Sequence, residues 1–169
     1  MMKKKIFIFL AAALCMGTIS HAKVPGSEIS FGGIAPLDSM SYVQQIYGEG
    51  EGNPPAYDYR SDVYRAVVSY GGTVEFWCDG NSADPDEQKV TMIKITANNG
   101  FATPKGIHVG STRKEVLAAY GMPDTPKYKS NPKNPINYIL YQSKDNPSSS
   151  MYFYFKNDIV TEIRAGFNL

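Results

Sequence analysis

The sequence predicts an α+β protein in which tandem helix-β-β-β repeats form one antiparallel sheet with the helices packed on one face. Three observations predict it. Gly106, Ile107, Val116, Tyr120 and Gly121 recur without a gap 73 residues upstream, as Gly33, Ile34, Val43, Tyr47 and Gly48. Each copy is followed by three segments rich in β-branched and aromatic residues. The connections between those segments are too short for anything but antiparallel neighbours.

Residues 1–22 read as a cleavable secretory signal. Lys3, Lys4 and Lys5 form a basic start, 6–16 is apolar, and Ser20 and Ala22 put small residues at positions −3 and −1. The apolar run is too short to cross a bilayer. Cys15 raises the question of a lipid anchor, and the bulky Leu14 before it argues against one. The expected location is therefore secreted or periplasmic, in a bacterial cell envelope.

Repeat one occupies residues 23–100 and opens with a short polar leader at 23–27. Its helix is expected at 39–47, with Ser39 as cap and Met40, Val43, Ile46 and Tyr47 as the buried stripe. The Gly/Pro-rich stretch 48–55 breaks the helix and reads as a loop. It follows a helix, and Glu49 and Glu51 would repel phosphate, so it is not a nucleotide-binding loop. Strands are expected at 63–70, 73–78 and 90–95.

Repeat two occupies 101–169. Thr112 with Glu115 reads as a capping box, Gly121 and Pro123 as the stop, and Val116, Leu117 and Tyr120 as the buried stripe. Strands follow at 136–142, 150–155 and 159–165. Val90-Thr91-Met92-Ile93-Lys94 aligns with Val160-Thr161-Glu162-Ile163-Arg164, Phe76 with Phe153, and Trp77 with Tyr154. The spacing gives repeat two 4 extra residues around Ser143 to Ser149, and repeat one 7 extra in its last hairpin. Repeat two closes that hairpin through Asn157-Asp158, a two-residue turn.

The run Gly-Ser-Thr-Arg-Lys-Glu-Val at 110–116, then Tyr120-Gly121-Met122-Pro123, then Tyr152-Phe153-Tyr154-Phe155 with the Asn157-Asp158 turn, resembles the small outer-membrane assembly lipoproteins of the SmpA/OmlA type. Two copies in series resemble the β-lactamase inhibitor proteins, in which tandem helix-plus-sheet repeats present a sheet face and hairpin loops to an enzyme. The resemblance covers most of the chain after the leader. It implies a non-catalytic, protein-binding role in the envelope or outside the cell, and carries over no individual contact residue.

Beyond the leader, Cys78 and His108 are the sole members of their residue classes. That excludes an internal disulfide framework and leaves no Cys/His metal cluster, so neither cofactor nor metal is expected. A serine triad would have to rest on that one histidine, and no pair of acids stands out for glycosidase chemistry. The expectation is that the protein is not an enzyme. Cys78, whose counterpart is Phe155, reads as a buried inert thiol, and His108 as a surface or packing residue.

Three groups are candidates for partner binding. Strand alternation turns Val74, Phe76, Cys78, Met151, Phe153 and Phe155 toward the helices, and Glu75, Trp77, Tyr152 and Tyr154 outward with Met92, Lys94, Glu162 and Arg164. Such a face suits a protein partner, although aromatics also pair across strands without one. The second group is Asp84, Asp86 and Glu87 with Asp79 in the long hairpin: a solvated tip, an acidic finger for a basic cleft, or a loose calcium site whose spacing misses the EF-hand pattern. Lys127, Lys129 and Lys133 are the third.

Residues 27–100 hold 4 basic and 11 acidic residues, and residues 101–169 hold 9 and 5. No global basic surface offers itself to nucleic acid. The asymmetry predicts either an oriented partner or salt-sensitive head-to-tail self-association. The alternative function is a small-ligand or glycan binder using the exposed aromatics, for which a groove beside Trp77 is the discriminating feature.

Overall fold

The computed structural model describes residues 23–123 and 137–167. The signal and lipid-anchor readings of residues 1–22, and the candidates Lys127, Lys129 and Lys133, lie outside the described residues.

After a 3-10 turn at Gly26–Glu28, the first helix, α1, spans Met40–Tyr47, and Ser39 caps it by accepting from the Tyr42 amide at 3.2 Å. The second, α2, spans Arg113–Tyr120. Its capping box is complete: the Thr112 hydroxyl accepts from the Glu115 amide, and the Glu115 carboxylate accepts from the Thr112 amide at 2.6 Å. Both helices stop at a glycine with φ 77°, Gly48 and Gly121, where a side chain would be strained.

The strands are β1 (Glu51–Gly52), β2 (Ala56–Asp58), β3 (Val63–Tyr70), β4 (Val74–Gly80), β5 (Lys89–Ile95), β6 (Asn137–Gln142), β7 (Ser149–Lys156) and β8 (Ile159–Phe167). They form one antiparallel sheet in the order β1-β3-β4-β5-β8-β7-β6, with β2 also on β3. The protein is thus a mixed α and β fold with one eight-stranded sheet and two helices among the described residues.

One face of the sheet supplies Val74, Phe76, Cys78, Ile93, Ile95, Met151, Phe153 and Ile163 to a single core. Met40 and Val43 of α1, and Val116 and Tyr120 of α2, belong to the same core. Tyr47 stacks on Phe76 with ring centroids 6.3 Å apart, and Tyr120 lies 5.9 Å from Phe153. Ile46, expected in the buried stripe, is exposed: eight residues make barely two turns, and its position turns away from the sheet.

Backbone hydrogen bonds tie each helix entry to the strand that ends its half. The Met40 amide donates to Gln88 O, and the Arg113 amide to Asp158 O, both at 2.8 Å. Leu37 donates to Val90 O and Gly110 to Val160 O, again at 2.8 Å. At the other end of each helix, the Tyr70 hydroxyl donates to Gly48 O at 2.8 Å and the Tyr141 hydroxyl to Gly121 O at 2.7 Å.

Three local expectations are corrected. Residues 48–55 are not wholly loop, because Glu51 and Gly52 pair with Ser69 and Val68. Together with β2 they cover the edge of β3 in two short pieces broken by Pro54 and Pro55, which blunts an edge otherwise open to pairing. The leader at 23–27 is also held: Val24 exchanges hydrogen bonds with Gln142 O and the Lys144 amide, and Asp145 accepts from the Gly26 amide at 2.6 Å. Finally, Phe76 faces Val68, 8 residues away, while Phe153 faces Ile139, 14 away, so the excess around Ser143 to Ser149 is 6 residues and not the 4 expected.

Candidate functional site

The face of the sheet turned away from the core is continuous from β3 to β6, and pairing register sets its rows. One row runs Ser69, Glu75, Lys94, Arg164, Tyr152, Leu140. A second runs Val67, Trp77, Met92, Gly166, Ser150, and Tyr154 lies between Tyr138 and Glu162. Trp77, Glu75, Tyr152 and Tyr154 therefore share one face with Met92, Lys94, Glu162 and Arg164, as alternation predicts.

The charges on this face are paired within it. Glu75 accepts from Lys94 Nζ on Oε1 and from Trp77 Nε1 on Oε2, each at 3.0 Å. Those two donors, the indole first, hold its carboxyl below the usual carboxylate range. The carboxylate thus orients Trp77, and the indole N–H is already used. What Trp77 offers a partner is its ring, and the residue as a whole is 37% exposed. Arg164 donates to Glu162 at 2.5 Å, and its guanidinium lies 5.1 Å from the Tyr154 ring centroid.

Tyr138, Tyr152 and Tyr154 form an aromatic cluster. Tyr138 lies 5.4 Å from each of the other two, and Tyr152 stacks on Tyr154 at 6.2 Å. Tyr138 was not among the sequence candidates. Its outward parity with Leu140, on either side of Ile139, is the signal that could have found it.

Each half carries a β-bulge at the same point, Trp77/Cys78 and Tyr154/Phe155. A threonine closes each: Thr91 Oγ1 donates to Trp77 O at 3.2 Å, and Thr161 Oγ1 to Tyr154 O at 3.4 Å. Gly166 permits the approach of β8 to the first bulge, since a Cβ there would meet Thr91 O at 2.3 Å. Beside Trp77, Arg65, Asp79, Thr91, Met92 and Phe167 line an open recess of about 380 Å³. Arg65 closes one wall by donating to Asp79 at 2.8 Å and to Asp58 at 3.0 Å.

The acidic hairpin stands apart from this face. Asp84, Asp86 and Glu87 are exposed, but the loop is internally braced: Asp84 Oδ1 accepts from the Asp86 amide, and Asp84 O from the amides of Glu87 and Gln88. It also docks on α1, where Pro85 O accepts from the Ser41 amide at 3.1 Å. Its carboxylates do not converge, and among the described residues no group of three His, Cys, Asp or Glu side chains is placed to hold a metal.

Cys78 is fully buried, 3.6 Å from Met40 Sδ, and burial pushes its thiol up to about 12. His108 is half-buried, with Nδ1 2.9 Å from Val109 O. Among the described residues no helix is long and apolar enough to cross a membrane.

Fold and face together define a mixed α and β protein with one antiparallel sheet, one face of which lines the core while the other is aromatic and internally charge-paired. No family model, no curated protein and no solved structure matches the chain.

Proposed function

We propose that the chain is a tandem pair of helix-β-β-β units, 23–100 and 101–169, with both helices on one side of the sheet, and that the opposite side binds a protein partner without catalysis. The matched helix-entry bonds, glycine stops, tyrosine locks and threonine-closed bulges support the duplication. The resemblance to the SmpA/OmlA-type lipoproteins and the β-lactamase inhibitor proteins, with the signal-like residues 1–22, supports a secreted or periplasmic setting and a role as an inhibitor or envelope assembly factor.

One observation carries the binding reading. The outer face places Trp77, Met92, Leu140, Tyr138, Tyr152 and Tyr154 in one continuous field whose described charges are neutralised in place. Such a face costs little to desolvate, and aromatic anchors ringed by paired charges are what protein interfaces use. A Trp77→Ala, Tyr154→Ala double variant that keeps its melting temperature should lose its specific partners in capture from secreted and envelope fractions. An unchanged set of partners would refute the reading.

The recess beside Trp77 favours a second reading, in which a sugar ring stacks on the indole and bonds to Arg65 and Asp79. Quenching of the single tryptophan by oligosaccharides, with no effect of the Tyr154→Ala change, would select it over the protein partner.

A further inference from the structure

A leucine stands where the turn before α1 calls for glycine. The Asp38 amide donates to Ala35 O at 3.2 Å and closes a turn with Pro36 second and Leu37 third, the form of a type II turn. Leu37 has φ 78°, a conformation that strains a residue bearing a branched side chain. The matching turn before α2 is closed by the Ser111 amide on His108 O at 3.0 Å, and its third place is Gly110, φ 102°. Leu37 and Gly110 make the same backbone bond, to Val90 O and Val160 O.

The fold makes little use of the Leu37 side chain. Leu37 is 57% exposed, on a groove that it shares with Pro36, Asp145 and Phe167. A residue both strained and exposed subtracts from stability, and strain of that kind points to a role outside the chain's own packing. The charges beside Leu37 are acidic: Asp38 and Asp145 each accept one backbone amide, from Ala35 and Gly26, and neither has an ion pair among the described residues.

At the opposite end of β8 the surface is complementary. Thr112, Arg113, Lys114, Leu117, Asp158 and Ile159 line an open recess of about 360 Å³, and Ile159 is 38% exposed there. Arg113 pairs with Asp158, so the charges left over are basic: Lys114 on the rim, and Lys156, which faces Ile159 across the β7–β8 pair. Both lysines are exposed and without an ion pair among the described residues. Ile159 is the first residue of β8, and Phe167, beside Leu37, is the last. Nine extended residues separate those ends by about 26 Å, so the leucine cannot reach the recess of its own copy.

We infer that Leu37 of one copy seats in the Ile159 recess of a second copy, head to tail, with Asp38 and Asp145 set against Lys114 and Lys156. The long-range charge agrees: Leu37 belongs to the stretch with 11 acids and 4 bases, and Ile159 to the one with 9 bases and 5 acids. A contact between two different surfaces leaves a free knob and a free recess on each pair, so the assembly grows by addition. It goes beyond the open face and uses neither Trp77 nor Tyr154.

The test is sedimentation velocity of the full chain over a concentration series at low and high ionic strength. The mean mass should rise with concentration at low salt and fall as salt is added. Leu37→Gly should give a monomer whose melting temperature is a few degrees higher, because the strain is relieved. Ile159→Lys, at an exposed position, should also give a monomer; should it not fold, Lys114→Glu weakens association several-fold in its place. Leu37→Gly keeps the recess and Ile159→Lys keeps the leucine, so a mixture of the two should form one-to-one pairs and grow no further. The Trp77→Ala, Tyr154→Ala variant should associate as the unaltered chain does, which separates this contact from the open face. A single-chain mass throughout the low-salt series, association unchanged by Leu37→Gly, no pairing in the mixture, or association lost with Trp77 and Tyr154 would each overturn the inference.

Discussion

Lys94 and Arg164 lie directly opposite each other where β5 meets β8. They are matched positions of the two similar stretches of sequence, and Ile93 with Ala165 and Ile95 with Ile163 flank them symmetrically. Two cations facing across an antiparallel pair repel. Each is held by its own acid, Lys94 by Glu75 and Arg164 by Glu162.

The first prediction follows from that arrangement. Glu162→Gln should destabilise by about 0.5–1 kcal/mol at low salt, because it both breaks an ion pair and exposes the repulsion. Raising the salt should recover part of the loss by screening. Denaturant melts at two ionic strengths measure it, and a salt-independent loss would mean that the repulsion is not felt.

Glu75 predicts a pH response that the lone tryptophan reports. Its folded-state pKa lies below the ordinary 4.5, through the bonds from Trp77 and Lys94, with Arg164 adding positive field. Its contribution to stability is therefore present above pH 4.5 and is lost as pH falls through the lowered folded value. Trp77 emission should titrate with an apparent pKa below 4.5, and Glu75→Gln should remove that transition while leaving the fold intact.

Much of this was legible because short-range chemistry dictates it. The capping box at Thr112 and Glu115, the Asn157-Asp158 turn with φ of 52° and 61°, and the alternation of β4 and β7 each depend on residues within a few positions. What escaped depends on distant partners. Glu51 and Gly52 are extended only because β3 offers them an edge, and Val24 only because Gln142 and Lys144 do. The outward face was readable by period two, but the use of the Trp77 N–H by Glu75 was not, since it is a rotamer choice.

Cys78 should be inert in the folded state. It is fully buried, and its thiol is raised to about 12, so little thiolate exists at neutral pH. Labelling by a neutral thiol reagent should be at least about a thousandfold slower than in denaturant, set by global opening. Fast labelling of the native protein would show that the strand opens locally.

The final prediction concerns how the helices are held. Tyr70 and Tyr141 reach from the ends of β3 and β6 to the carbonyls of Gly48 and Gly121, taking acceptors that a helix terminus leaves unpaired. Tyr141 is the more buried of the two, and burial raises its hydroxyl, so the proton stays on and donates. Tyr141→Phe should cost about 1–2 kcal/mol, the loss of a buried hydrogen bond with its acceptor left dry, whereas Tyr70→Phe, at a wetter site, should cost less than about 1 kcal/mol. Neither change removes ring packing, so amide exchange should quicken in the last turn of the matching helix before the sheet is affected. Equal losses at the two sites would mean that water does not replace the Tyr70 donor at Gly48, and that the two halves hold their helices with the same strength.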